Sequence, residues 1–289
     1  MKPKALPSDY SFDSLFAPNA SWAYLRDAEH FQPSPGIAFD AANAWWFAEL
    51  CMLCYVSEPE YIRTELARAG LRDVALLHGR GIHCILAGDW VIFRGSADVN
   101  DALKDLDAVL VQEGDARIHR GFQAALDEIW EALLPHIQGR KPIFAGHSLG
   151  GAMAVIAGSR HPHTRCAYTF GAPRIGDAEF MDSILFPVHR VVNNNDIVTR
   201  LPPPIFYCHV GSLKYFDSDG QLHDEPGLWK RVREQIAGHA DQLEVNVGHW
   251  LAGDFKSLPY ASLVDHSPVH YAIRAWNHLV RESERERSE

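Results

Sequence analysis

The spacing of apolar and polar residues predicts how the first third of the chain folds. Residues 39–55 are apolar nearly all round and lack Gly and Pro, which indicates a buried helix. Residues 59–69 show the one-sided pattern of an amphipathic helix, which Gly70 ends. Three short apolar runs follow, separated by turns that contain Gly or Asp, and they predict an antiparallel meander. These runs are residues 74–77, 82–86 and 90–93.

Helices and strands alternate in the next part of the chain. This pattern is typical of a mostly parallel sheet with helices on both faces, so the predicted fold class is α/β. The expected strands are residues 108–111, 142–145, 167–170 and 188–192, and the expected helices are residues 120–134 and 149–160. Because no repeat or linker interrupts the pattern, we expect a single domain over residues 1–289, with residues 1–38 as an N-terminal arm laid over the core.

Composition and charge narrow the function classes. With 289 residues, 47% of them hydrophobic, the chain can bury a sizeable core. Lys and Arg number 27 against 37 Asp and Glu, which gives 27 − 37 = −10, and no basic patch offsets this charge. A protein of this charge repels phosphate backbones, so a nucleic acid is not expected as a partner.

The five cysteines do not suggest a disulfide framework, because their number is odd and the chain is long. Cys51 and Cys54 have CxxC spacing, but no second pair or close His pair follows, so we expect a buried helix face and no metal site. No run of about 18 apolar residues occurs, which argues against a transmembrane helix. The N-terminus lacks the apolar stretch of a secretory signal, which predicts a cytoplasmic location and leaves open a signal removed before Met1.

The strongest chemical signal is a G-x-S-x-G turn at Gly146–Gly151. It lies between a predicted strand and a predicted Ala-rich helix, which is the context of a nucleophile elbow. Ser148 would project from a strained turn, and the residues two before and two after it must be small because the helix and a strand crowd against them. The N–H of Leu149, at the positive end of the helix, is the expected first donor to an oxyanion.

A serine nucleophile needs a carboxylate and a histidine, which follow it in this order in α/β folds of this type. Asp196 follows a β-branched strand and would lie at the strand's carboxyl end, where such active sites form. Its rival, Asp177, immediately precedes a helical run and is better interpreted as an N-cap. Asp196 is therefore the leading acid.

The base is harder to choose from the residues alone, because seven histidines follow Asp196. His266 lies in a loop that opens the last amphipathic helix, and loops of this kind carry catalytic side chains more often than helix interiors do. His270 and His249 remain alternatives. A second oxyanion donor is expected after an earlier strand, at Ser96, where Gly95 permits a close backbone approach.

Taken together, these segments resemble the class 3 lipase family, the α/β-hydrolases typified by fungal triacylglycerol lipases. The similarity spans roughly residues 47–271. The segments that carry it are Phe93–Ser96, Ile118–Phe122, Gly146–Gly151, Thr169–Asp177, Asn194–Val198, Leu201–Pro203, Tyr207–Gly211 and Asp265–His266.

The resemblance implies a role for each matching residue. Ser148 would be the nucleophile, Asp196 the orienting acid and His266 the base, while Ser96 and Leu149 would form the oxyanion hole. It also implies a short helical lid after Ser96, whose apolar stripe has i, i+3, i+4, i+7 spacing. The stripe consists of Val99, Ala102, Leu103 and Leu106. Fungal lipases usually carry Trp where this chain has Ala102, and the same stripe also suits a helix packed on the core.

These features predict a carboxylic ester hydrolase that works through an acyl-enzyme and needs no metal or cofactor. The favoured substrates are acylglycerols with medium or long acyl chains, met at a lipid–water interface. Short-chain esterases and phospholipases A1 share the same machinery, so both remain alternatives. A lipase-like scaffold that binds an acyl ligand or a protein without turnover is the alternative of another class.

Overall fold

An eight-stranded sheet organises the part of the chain that the structure describes, which in this computed structural model is residues 1–16, 22–80, 82–95, 109–224 and 261–288. The strands are β1 Val74–His78, β2 His83–Ala87, β3 Trp90–Phe93, β4 Leu110–Glu113, β5 Ala116–His119, β6 Ile143–His147, β7 Cys166–Phe170, β8 Val188–Asn193, β9 Ser212–Phe216 and β10 Leu222–Asp224. The helices are α1 Phe12–Leu15, α2 Ala41–Leu53, α3 Pro59–Arg68, α4 Arg120–Ile137, α5 Leu149–Arg160, α6 Ala178–Ser183, α7 Ala261–Val264 and α8 Pro268–Glu286, with a 3-10 turn at Val198–Arg200.

The strand order in the sheet is β1-β2-β3-β6-β7-β8-β9-β10. β1, β2 and β3 form the expected antiparallel meander, the neighbours from β3 through β9 are parallel, and β10 returns antiparallel to β9. The parallel register pairs Phe93 with Gly146, Gly146 with Thr169, and Phe170 with Val191. The carboxyl ends of β3, β6, β7 and β8 therefore meet at one edge of the sheet.

Helices cover both faces of this sheet, which confirms the expected layering. Side chains alternate along β3, so Val91 and Phe93 join the core beneath α4 and α5, whereas Ile92 joins the core beneath α2 and α8. α2 is apolar all round because it is almost wholly buried between the sheet and α8. None of the described helices has the length and the apolar run needed to cross a bilayer.

Four strands differ from the sequence prediction: β4 pairs differently, and β5, β9 and β10 were not expected. The strand expected at residues 108–111 is β4, but it pairs with β5 in a separate two-stranded hairpin instead of joining the main sheet. Gly114 turns this hairpin with φ +58°. β9 and β10 were not expected, because β9 mixes polar and apolar residues and β10 is only three residues long.

The described residues of the N-terminal segment pack on the core. Tyr24 and Leu25 are buried in the same core as α2, and Leu15 is buried against the opposite core. Polar contacts hold the arm to α8: the N–H of Lys4 donates to Asn277 Oδ1 at 2.7 Å, and Asn277 Nδ2 donates back to the Lys4 carbonyl at 2.8 Å.

Candidate active site

The turn between β6 and α5 presents Ser148 at the carboxyl edge of the sheet. Ser148 has φ 57° and ψ −129°, an uncommon backbone conformation for a residue with a side chain. Its N–H donates to the carbonyl of Phe170 on the neighbouring strand at 2.9 Å, which anchors the strained turn. The sequence prediction of a sharp strand-to-helix turn at Ser148 is confirmed.

Two glycines make the turn sterically feasible. A Cβ atom on Gly146 would lie 2.1 Å from the carbonyl oxygen of Gly150, and one on Gly150 would lie 2.3 Å from the carbonyl oxygen of Phe93. Both distances are far below van der Waals contact, so any side chain at either position would force the backbone to move. Direct contact with the backbone is therefore the reason why the residues two before and two after Ser148 must be small, as expected.

Ser148, His266 and Asp196 form one chain of hydrogen bonds. Ser148 Oγ lies 2.9 Å from His266 Nε2, and His266 Nδ1 lies 2.9 Å and 3.0 Å from the two carboxylate oxygens of Asp196. Since a carboxylate only accepts, Nδ1 carries the hydrogen of the neutral ring, which leaves Nε2 to accept from the Ser148 hydroxyl. All three side chains are buried.

The carboxylate of Asp196 is held from two further directions. Oδ1 accepts from the N–H of Val198 at 2.9 Å, and Oδ2 accepts from the hydroxyl of Tyr271 at 2.6 Å. The same hydroxyl accepts from the N–H of Asn193 at 3.0 Å. Burial, and then the charge of Asp196, raise the pKa of Tyr271 well above its ordinary value, so the phenol stays protonated and donates.

The run Asn193–Asn195 joins the loop of Asp196 to the loop of His266. Asn193 Nδ2 donates to the carbonyl of Asp265 at 2.8 Å, and Asn194 Nδ2 donates to Asp265 Oδ2 at 2.9 Å. The N–H of Asn195 donates to the same carboxylate oxygen at 3.2 Å. Burial raises the pKa of Asp265, even though the hydrogen bonds from Asn195 and Asn194 lower it. These hydrogen bonds fix Asp265, and with it His266, against the run that precedes Asp196.

Of the alternatives for acid and base, Asp177 and His270 are described, and both lie outside the hydrogen bonds that join Ser148, His266 and Asp196. Asp177 caps α6 by accepting from the N–H of Phe180 at 3.0 Å, and it pairs with Arg117 Nε at 3.0 Å, so its interpretation as an N-cap is confirmed. His270 is buried in the first turn of α8 and makes no hydrogen bond to Ser148. His249 lies outside the described residues.

The expected oxyanion donors are described only in part. Leu149 is the first residue of α5, where helical N–H groups have no partner within the helix, and it directly follows Ser148. Gly95 lies close by, since a Cβ on it would come 2.9 Å from the Ser148 Cβ. Ser96 and the expected lid residues lie outside the described residues, namely Val99, Ala102, Leu103 and Leu106.

Sequence reasoning missed three side chains at this site: Tyr55, His147 and Tyr271. Tyr55 and Tyr271 lie in strongly apolar segments, where the sequence does not distinguish a tyrosine at the site from any other aromatic residue of the core. His147 occupies the variable position before the serine in G-x-S-x-G, a position to which the motif assigns no role. His147 Nε2 contacts the backbone carbonyl of His266, and Tyr55 contacts the opposite nitrogen of the same ring. Within the described ranges, no group of three His, Cys, Asp or Glu side chains is arranged to hold a metal ion.

The arrangement defines a class of protein. A central, mostly parallel sheet covered by helices, with a serine elbow after one strand and an acid and a histidine following in chain order, is the α/β-hydrolase fold. A family model described as Lipase (class 3) matches residues 90–206. Over these residues the chain is similar to the class 3 lipase family.

Individual relatives agree with this assignment. The chain is 30% identical over 152 residues to a lipase of Rhizomucor miehei, which covers 45% of this chain and 42% of that protein. It is 35% identical over 194 residues to triacylglycerol lipase OBL1 of Arabidopsis thaliana, covering 53% of this chain and 37% of that protein. The chain thus spans less than half the length of these relatives.

A solved structure shows the same fold. The native Rhizomucor miehei lipase propeptide complex superimposes with a TM-score of 0.50 at 21% identity, covering 67% of this chain and 78% of the other.

Proposed function

We propose that this chain is a carboxylic ester hydrolase that forms an acyl-enzyme on Ser148. The observation that carries the proposal is the continuous chain of hydrogen bonds from the Ser148 hydroxyl through His266 to Asp196, each link about 2.9 Å long. In this proposal Ser148 is the nucleophile, His266 the base and Asp196 the group that fixes the tautomer of the base.

The proposed reaction has two halves. His266 Nε2 takes the hydroxyl proton while Ser148 Oγ attacks the ester carbonyl, and the charged imidazole then protonates the leaving alcohol. Water repeats the sequence on the acyl-enzyme and releases the acid. The backbone N–H of Leu149, with Ser96 as the second donor, would stabilise the oxyanion.

The substrates we propose are acylglycerols with medium or long acyl chains. The support comes from the names of relatives: one is called a triacylglycerol lipase, and a Fusarium solani relative that is 32% identical over 118 residues is called a secreted mono- and diacylglycerol lipase. Short-chain esters and the sn-1 ester of phospholipids are the alternatives. We keep Val99, Ala102, Leu103 and Leu106 as the proposed lid, and a cytoplasmic location as a prediction that cell fractionation can test.

The test is hydrolysis of p-nitrophenyl esters from acetate to palmitate, below and above the concentration at which each substrate aggregates. We expect the wild type to prefer long chains and Ser148→Ala to lose turnover. A jump in rate at aggregation would support the lid, and a short-chain optimum without a jump would make the protein an esterase. Release of the sn-1 acyl chain from phosphatidylcholine would instead favour phospholipase A1.

Two controls test whether His266 and Ser148 carry out the proposed hydrolysis. His266→Ala should abolish turnover in a folded protein, and the wild-type rate should fall on acidification because a protonated imidazole cannot accept the Ser148 proton. If neither the wild type nor Ser148→Ala hydrolyses any ester, and a fluorophosphonate fails to label Ser148, the non-catalytic scaffold takes first place. If Ser148→Ala keeps its rate, the proposed nucleophile is wrong.

A further inference from the structure

A second imidazole is packed against the proposed base. His147 is fully buried, and its ring centroid lies 4.6 Å from that of His266. His147 Nε2 is 2.7 Å from the backbone carbonyl oxygen of His266. Since a carbonyl only accepts, Nε2 carries a hydrogen and donates it to the backbone of His266.

The other ring nitrogen of His147, Nδ1, contacts Tyr55. Burial, and then the neighbouring His266, lower the pKa of His147 well below its ordinary value, so the ring is neutral. With the hydrogen on Nε2, Nδ1 of a neutral ring must accept, and the hydroxyl of Tyr55 donates to it at 2.8 Å. Tyr55 is also buried, and burial raises its pKa, which keeps the phenol protonated.

Tyr55 also contacts the loop that precedes Ser96. Its hydroxyl has a hydrogen bond with the backbone of Gly95, and a Cβ on Gly95 would lie 2.4 Å from the hydroxyl oxygen. One phenol therefore touches the strand end beside Ser148 on one side and the imidazole of His147 on the other.

We propose that Tyr55 and His147 are positioning residues for the base: Tyr55 holds His147 in one tautomer, and His147 holds the backbone of His266 so that its imidazole reaches Ser148. This inference rests on the proposed ester hydrolysis. In the opposite tautomer, the Nε2 lone pair would face the carbonyl oxygen of His266 at 2.7 Å, and the repulsion would push that backbone away.

The neutral state of His147 has a second consequence for the reaction. During each half of the proposed cycle His266 becomes a cation, with its ring centroid 4.6 Å from that of His147. If His147 were also charged at that distance in a buried site, its charge would oppose proton uptake by His266. A neutral ring that already donates and accepts one hydrogen bond imposes no such repulsion.

The central experiment compares Tyr55→Phe with Tyr168→Phe. Both changes remove one buried phenolic hydroxyl, but Tyr168 lies on β7 and donates to the Ala38 carbonyl at 3.2 Å, outside the site. Turnover of a soluble short-chain p-nitrophenyl ester is measured per active site, counted by fluorophosphonate titration. We expect Tyr55→Phe to lower kcat roughly tenfold with KM changed by less than about twofold, and Tyr168→Phe to leave both near wild type.

Two variants of His147 test the donor to His266 directly. His147→Leu removes it, and we expect kcat to fall roughly a hundredfold. His147→Gln places an amide N–H in the same region, and we expect it to recover part of that loss. Equal losses in both variants, measured per titrated site, would contradict the role of the donor.

Proton NMR gives a readout that does not need turnover. The Nδ1 hydrogen of His266, shared with Asp196, gives a low-field resonance, which should move in Tyr55→Phe and stay in place in Tyr168→Phe. Identical spectra and identical kcat values in the two variants would overturn the positioning role. If the wild type hydrolyses no ester, the proposed function fails, and the NMR comparison alone decides whether Tyr55 positions His266.

Discussion

A buried histidine beside the site makes the stability of the fold sensitive to acid. His270 is only 3% exposed, and neither of its ring nitrogens has a hydrogen-bond partner among the described residues. Burial, and then the charge of Arg274, lower the pKa of His270 to about 4. In the unfolded chain, the same side chain has a pKa of about 6.5. Between these two pKa values the unfolded state binds a proton on His270 that the folded state does not bind. The free energy of unfolding must therefore fall as the pH falls.

The size of the effect follows from the two pKa values. Near pH 7.5 the imidazole is neutral in both states and contributes almost nothing. At pH 4.5 the unfolded form is almost fully protonated while the folded form is mostly neutral, and the linkage relation gives a loss of about 2.5 kcal/mol. The loss is complete below about pH 4, where both forms are charged.

The assay is urea unfolding at pH 7.5 and pH 4.5 of the wild type, His270→Leu and His270→Gln. Between the two pH values, we expect the wild type to lose about 2.5 kcal/mol more than either variant, because neither replacement titrates. His83 and His278, whose pKa values burial also lowers to about 4, remain in all three proteins, so their contributions cancel in the comparison.

The same variants decide between two candidate bases. Because His270 makes no hydrogen bond to Ser148, turnover at pH 7.5 should stay within about twofold of wild type in His270→Gln. An equal loss of stability with acid in all three proteins would refute the linkage argument. Loss of turnover in a folded His270→Gln would move the proposed base from His266 to His270.

Three further predictions concern the acid and the elbow. Asp196→Asn should lower kcat by roughly a thousandfold or more in a folded protein, as seen by circular dichroism beside the ester assay, because the amide cannot hold the required tautomer of the base. Tyr271→Phe removes the donor at 2.6 Å from Asp196 and the acceptor of the Asn193 N–H, so urea unfolding should show a loss of about 1–2 kcal/mol; unchanged stability would contradict that role. Gly146→Ala should cost at least about 3 kcal/mol, since its Cβ would meet a backbone oxygen at 2.1 Å, and a thermal unfolding midpoint equal to that of wild type would disprove the crowding argument.

Features that depend on residues close together in the chain could be predicted from the sequence. The elbow at Ser148 depends on a strand, two glycines and a helix that are all adjacent, and its strained backbone follows from that arrangement. The N-cap at Asp177 depends on a hydrogen bond only three residues long. Burial of α2 follows from the absence of any polar stripe. Short-range sterics and hydrogen bonding decide all of these, so they leave a local pattern.

Contacts between distant segments were decided only by the tertiary structure. His266 and His270 are four residues apart, and the residues alone left both as candidate bases. The fold separates them, because His266 precedes α8 and faces Ser148 while His270 is buried in the first turn of that helix.

The same reason accounts for what the sequence did not indicate. Tyr271 reaches Asp196, and Tyr55 reaches His147, across 75 and 92 residues of chain. Hydrophobic periodicity records that such residues are buried but not which polar group their hydroxyls meet, since that depends on how α2 and α8 pack on the sheet. The sequence alone thus determined the fold class and the elbow, and the packing of helices on strands determined which side chains surround it.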